Sequence, residues 1–499
     1  MPSLDELRRK ATLLKRAYGA GDSAAAARVR EVLGDAPAPL KRADFLHVIA
    51  NEASFDSWPR LKTAAETEGL DRAAKQQRLK IALFQGQNHV TQQLLSDTPD
   101  LARGLLGLEI ALYDVQAVRA ALWNDPAAAT RAFGPRRPIA HLAFSRYHQL
   151  RPDLREDMLE IAGLLVRHGA DVNDAADHPQ GRLSVLYGAL CHADNLPLAE
   201  WLLEHGANPD DGETLYHATE PGRHAGLRLL LSKGADPKGT NALPRAMDFN
   251  DHEAVRMLLN AGATPDDGAG TIPALCHAAR RMNDGAMVQL LLEAGADPSA
   301  RWRACSAYAL ARVMGNGQAA ERIAKAGGEV SLSETETLLA RAAEGEATPG
   351  TFLDPATLPE EYRNLIADLV MLPDTRGHIE RLVALGLEYD RPAAMGVTPV
   401  QGAGWAGNAE LLAYFLSLRP DLEHRNDHGG SLLGTIIHGS EHAPQRAGAD
   451  HVACARLALE HGLSLPRRTV DMAGAPAMRA FLADWAARFP SQVTEGATP

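Results

Sequence analysis

Apolar residues recur at helical spacing along most of the chain, in short stripes that each end at a glycine. One phrase repeats: LLVRHGADVN (164–173), WLLEHGANPD (201–210), LLLSKGADPK (229–238), MLLNAGATPD (257–266) and LLLEAGADPS (290–299). Weaker copies are RIAKAGGEVS (322–331), RLVALGLEYD (381–390) and LALEHGLSLP (457–466). In each, an apolar stripe closes a helix, and glycine supplies the left-handed residue that stops it. A short Ala-Asp-Pro or Ala-Asn-Pro turn follows in the regular copies, and proline cannot extend the helix backwards.

A second phrase precedes the first by about one helix: ETLYHAT (213–219), NALPRAM (241–247), PALCHAA (273–279), SAYALAR (306–312) and GVTPVQGAG (396–404). Small residues on one face of this helix let the next helix approach closely. One such helix pair cannot bury its apolar face alone, so neighbours must stack. The two phrases together resemble the ankyrin repeat, with its pattern TPLHxAAxxGHxEVVxLLLxxGADVN. The segment TPVQGAGWAGNAELLAYFLSLRPDL (398–422) follows it without a gap, and Thr398 to Ser431 spans the family's 33 residues. The resemblance implies an all-α ankyrin-repeat solenoid of stacked helix-turn-helix units.

Gly206, Gly234 and Gly262 are only 28 residues apart. The shortening falls between the stop glycine and the next first helix, where the family carries a β-hairpin finger. Short loops in place of long fingers are therefore expected there. Repeats extend over 77–330, degenerate at first and regular over 160–299, and continue over 331–490. The unit starting at Pro138 carries an extra stretch at 147–157. Residues 1–76 read as a helical leader or cap, and 491–499 as a disordered tail. The leader, with its Ser-Trp-Pro-Arg-Leu run, is similar to one found before ankyrin repeats in a group of bacterial proteins. So is a Gly-Gly…His-Gly-Ser stretch in the last full unit, which brings no established activity with it.

The chain has 499 residues, too many for one ordinary compact domain, and a net charge of −12. That charge disfavours a nucleic-acid backbone as ligand. No apolar run approaches a membrane span. The first residues, MPSLDELRRK, are charged and lack the apolar core of a secretory signal. The four cysteines, Cys191, Cys276, Cys305 and Cys454, form no CxxC. A cytoplasmic monomer with free or buried thiols is the expectation.

Histidines cluster in the last unit at His424, His428, His438, His442 and His451, around a ten-residue insertion at 441–450. His424/His428 and His438/His442 have the spacing of two ligands on one helical turn. The first pair straddles Gly429–Gly430, and the second flanks a Gly-Ser helix exit, so a structural or surface role is expected and no metal is assigned. Gly402, Gly404 and Gly407 spell GxGxxG without the preceding strand that a dinucleotide site requires. The pairs Cys191-His192 and Cys276-His277 are neighbours that point apart on a helix, giving a packed Cys and a surface His rather than dyads. No catalytic residue and no cofactor is assigned.

In the ankyrin pattern the residue after the His of TPLH faces the concave side. Here His217, Arg245 and His277 hold that place, and Asp248, Phe249, Arg280 and Arg281 extend the surface. Aromatic anchors dominate binding energy. Trp405, at a position usually polar, ranks first and Phe249 second, whereas Trp201 starts an apolar stripe and reads as core. The function expected is binding a protein partner through the concave face, as a scaffold, adaptor, or inhibitor of immunity type. The alternatives are an enzyme or metal-dependent site on 423–451, and a secreted host-targeted effector.

Overall fold

The structure, a computed structural model, describes residues 4–34, 39–178, 181–266, 272–346, 349–443 and 448–494. The 444–447 part of the insertion and the 495–499 part of the tail lie outside the described residues. The chain forms two compact units, 1–242 and 243–499.

The repeated phrase explains itself in atomic terms. Gly206 has φ +95° with no atom near its missing side chain, so glycine is needed there for backbone conformation and not for space. The stop is a Schellman turn: Ala207 N donates to Leu202 O at 2.9 Å and Gly206 N to Leu203 O at 3.2 Å. The polar residue after Gly-Ala then folds its own turn, as Asn208 Oδ1 accepts from Asp210 N at 3.0 Å. In three of the copies the last residue of the phrase reaches the next one. Asn173 Oδ1 accepts from Asn208 N at 2.7 Å, Asp210 Oδ1 from Asp236 N at 2.8 Å, and Asp266 Oδ2 from Asp297 N at 2.7 Å. Short polar side chains thus satisfy loop amides that stacking would otherwise leave unpaired.

Second helices begin at an Asn or Asp cap: Asn195, Asp251, Asp284, Asn316, Asn408 and Asp450 each accept from a backbone N–H in the first turn. The stripes of second helices, including His224–Ser232, which has no side-chain cap, bury Leu202, Leu230, Leu258 and Leu291 to 1% exposure or less. Each burial stabilises by about 1.5–3 kcal/mol. First helices are short and small-residue rich. Ala274, Ala278 and Ala279 are buried in Ala274–Arg280, and Ala307, Ala309 and Ala311 in Ala307–Met314, against which it packs.

The first unit starts with four helices, Leu4–Gly19, Ser23–Leu33, Arg42–Glu52 and Trp58–Thr67, around Leu7, Leu14, Phe45, Val48 and Leu61. Helix pairs follow, from Arg72–Gln85 with Asn88–Asp97 to Thr214–His217 with His224–Ser232. The loops at 207–213 and 235–241 carry no strand, as the 28-residue spacing implies. Elsewhere fingers persist: Ala175–His178 pairs antiparallel with Gly181–Ser184, and Arg301–Trp302 with Cys305–Ser306. All four cysteines are buried, and burial pushes the Cys191, Cys276 and Cys454 thiols up to about 12 and Cys305 to about 11.

Candidate protein-binding site

In the second unit a cleft of about 750 Å³ opens between four stretches of chain. Helix Ala274–Arg280 and its exit supply Arg280 and Arg281; helix Leu365–Val370 and its flanks supply Asn364, Asp368 and Met371. Met395 and Trp405 come from the turn at Ala394–Gly396 and from helix Pro399–Trp405. Opposite are His428 and, from helix Leu432–His442, His438.

Local sequence fixes each wall. Helix Pro399–Trp405 starts in a capping box, in which Gln401 N donates to Thr398 Oγ1 and Thr398 N to Gln401 Oε1, both at 3.2 Å. Gln401 Nε2 then ties Gly430 O at 3.0 Å. Helix Leu432–His442 crosses so closely that a Cβ at Gly439 would collide with the Trp405 carbonyl. That carbonyl accepts from His451 Nε2 at 2.9 Å. Backbone bonds hold the Met395 turn, Asp427 N donating to Met395 O at 3.0 Å and His424 Nε2 to Gly396 O at 2.7 Å. Met395 has φ +57° and is 61% exposed, an apolar side chain held in solvent by a backbone conformation that is unfavourable for it.

Trp405 is half-buried and lines this cleft beside His438, ring centroids 5.3 Å apart. Burial, and the neighbouring His442, push the His438 imidazole below its ordinary range. Arg280 also lines the cleft, but its guanidinium grips Asp368 through bonds of 2.7 and 3.0 Å and lies 4.7 Å from the Trp302 ring. It is a strap across the groove rather than a free contact.

Arg245, Asp248, His277 and Arg281 come together as one charge cluster. The Asp248 carboxylate accepts from His277 Nε2 at 3.0 Å, lies 2.8 Å from Arg281 Nε, and is 3.4 Å from Arg245 Nη1. Burial would raise the Asp248 pKa; the His277 bond and the arginine charges outweigh it and hold the carboxyl low. His277, expected at the surface, is 6% exposed, because its first helix is covered on the side facing Asp248. Phe249 lies 4.6 Å below the Arg245 guanidinium and does not line the cleft. His217 belongs to the first unit, where Nδ1 donates to Glu220 Oε1 at 2.9 Å and the ring meets Tyr187 and Tyr216.

His192, also expected at the surface, is half-buried: its ring stacks on Phe84 at 4.1 Å and Nε2 donates to Phe84 O at 2.8 Å. The helix expected to end at the Gly-Ser pair runs on through His442, and the His438 and His442 rings sit 4.3 Å apart. No three His, Cys, Asp or Glu side chains converge as a metal set among the described residues. Asn364, Asp368, Met371 and Met395 carry no signal in the sequence, where no repeat phrase marks them, and His428 stands out there only as a member of the histidine cluster.

The ankyrin-repeat family model matches residues 273–303, the repeat that carries His277, Arg280 and Arg281. Among solved structures, the chain is similar to an ankyrin repeat domain from Acinetobacter baumannii AYE, with 23% identity over 36% of this chain and 99% of that one, TM-score 0.30. It is also similar to the ankyrin repeat domain of Bcl-3, a member of the IkappaB protein family, with 22% identity over 44% and 96%, TM-score 0.35. No curated protein matches the chain. The architecture is an all-α ankyrin-repeat solenoid, built of modules that generally bind proteins. No helix among the described residues is long and apolar enough to cross a membrane.

Proposed function

We propose that the chain is a protein-binding module, a scaffold, adaptor or inhibitor, and that its second unit takes a segment of its partner into the cleft beside Trp405. The observation that carries this reading is the pairing of a half-buried Trp405 with an exposed Met395 across an open, largely apolar cleft. Aromatic and methionine side chains are the enriched anchors of interface centres. Phosphate backbones are poor candidates, since the chain carries a net charge of −12. The proposed setting is the cytoplasm, with the chain monomeric before it meets its partner.

The test is capture of partners by tagged full chain, comparing wild type with Trp405→Ala and Phe249→Ala. One protein should co-purify near one-to-one. Trp405→Ala should weaken it by about 2–4 kcal/mol, the range of an interface anchor, with helicity unchanged. Phe249→Ala should retain it, because Phe249 lies outside the cleft. Retention by Trp405→Ala sinks the proposal.

A further inference from the structure

The first unit holds a second, smaller cleft of about 500 Å³, whose lining joins apolar side chains to two cations. Its walls are helix Arg72–Gln85, the turn before helix Leu106–Ala111, the loop at 133–136 and helix Pro138–Ala143. Leu83, Leu105, Phe84, Phe133 and Phe144 make it apolar. Its charged lining residues are Lys80 and Arg136; no Asp or Glu lines it.

Arg136 is the unusual member. Its guanidinium lies 4.6 Å from the centroids of both Phe84 and Phe144, whose rings are stacked 6.2 Å apart. Among the described residues no carboxylate pairs with Arg136 or with Lys80, whereas the neighbouring Arg131 and Arg137 hold Asp125 and Asp174. Glu109 is near, but its carboxylate is turned to Gly104 N at 2.8 Å. His141, on the same wall, has Nε2 3.0 Å from Phe133 O. Burial pushes the Arg136 pKa below its ordinary value, as for a cation desolvated without a counter-charge. A guanidinium stacked on rings keeps its fork of N–H donors free for a planar acceptor.

We infer that this cleft binds an acidic peptide segment, seating an Asp or Glu carboxylate on Arg136 and Lys80 and an adjoining apolar side chain on Leu83, Leu105 and Phe133. One carboxylate beside one apolar side chain matches two cations over an apolar floor. A nucleic-acid backbone would need a row of cations along the cleft, and of the residues that line it only Lys80 and Arg136 carry one. The site lies in the first unit and stands independently of the Trp405 cleft.

The experiment is panning of a random heptapeptide library on the full chain, followed by titration calorimetry of the selected peptides. The selected sequences should carry Asp or Glu next to Leu, Phe, Tyr or Trp. Replacing that acid by its amide should weaken binding at least tenfold, and so should Arg136→Gln. Lys80→Gln, at an exposed side chain, should weaken it severalfold and serves as the folded control should Arg136→Gln unfold. Trp405→Ala should leave the affinity unchanged. Selected peptides without acidic residues, no selected peptides at all, or affinities indifferent to both Arg136→Gln and Lys80→Gln overturn the inference. So does loss of the same peptides by Trp405→Ala, which would place them in the other cleft while leaving the protein-binding proposal standing.

Discussion

The two units treat their inner surfaces differently. In the first, beside the Arg136 cleft, the chain packs a stretch of itself across its helices. Arg146 N donates to Leu83 O at 3.0 Å, Arg146 Nε to His192 O at 2.9 Å, and Gln149 Nε2 to Ala193 O at 3.3 Å. The stretch that follows helix Pro138–Ala143 is thus tied to the chain's own helices, and His192 packs against Phe84 beside it. In the second unit the ion pairs Arg280 to Asp368 and Arg303 to Glu361 span comparable reaches, and the space beside Arg280 stays open as the Trp405 cleft. An insertion that supplies its own hydrogen bonds fixes a groove; its absence leaves a groove with unmet apolar surface, which is what association needs.

The contrast can be broken from the first side by Phe84→Ala. This removes the stacking partner of His192 and Phe144, and a loss of about 3 kcal/mol in urea unfolding is expected. A loss below 1 kcal/mol would mean that the inserted stretch holds the groove without the aromatic contact. pH gives the next effect, and it falls in both units. Burial pushes His192 and His378 each down to about 4, from an ordinary value near 6.5. Their neutral forms therefore stabilise the fold fully above about pH 6.5, and this is lost as pH falls toward 4, by up to about 3 kcal/mol each. Hydrogen exchange in helices Leu196–Glu204 and Arg376–Ala384 at pH 7 and pH 4.5 reads the two separately. His192→Gln should spare the first helix at low pH and leave the second sensitive. The smallest effect is Asp368→Asn, which leaves the Arg280 guanidinium half-buried without its counter-charge. About 1–2 kcal/mol of stability should be lost, discounted from the fully buried case because both side chains are 21% exposed. An unchanged midpoint would show that the strap is not needed to hold the groove.

The sequence exposes what is local and repeated. Gly206, Gly234 and Gly262 do take left-handed backbone, at φ +95°, +91° and +106°, because one glycine between a stripe and a turn can only be a helix stop. Curvature is not local. Whether Arg280 meets Asp368, 88 residues away, depends on small rotations accumulated over intervening repeats, to which no spacing in the chain corresponds. His192 and His277 were read outward from helical periodicity, which takes no account of the neighbour that covers them. Helix Leu432–His442 runs through Gly439 against propensity, since the close approach of the Trp405 backbone requires a residue without a side chain there. Trp405 could be singled out beforehand because it breaks the repeat's polarity; Met395 could not, since its exposure comes from a strained turn.

The four buried thiols allow the molecule to be timed. A thiol held neutral by burial does not react with an alkylating reagent until its repeat opens. Cys191 sits in the first unit and Cys276, Cys305 and Cys454 are spread along the second. Their labelling rates would act as four clocks, each recording how often its own stretch of the stack comes apart, and together they would show whether the protein unravels from an end or opens first at the groove that its own chain does not fill.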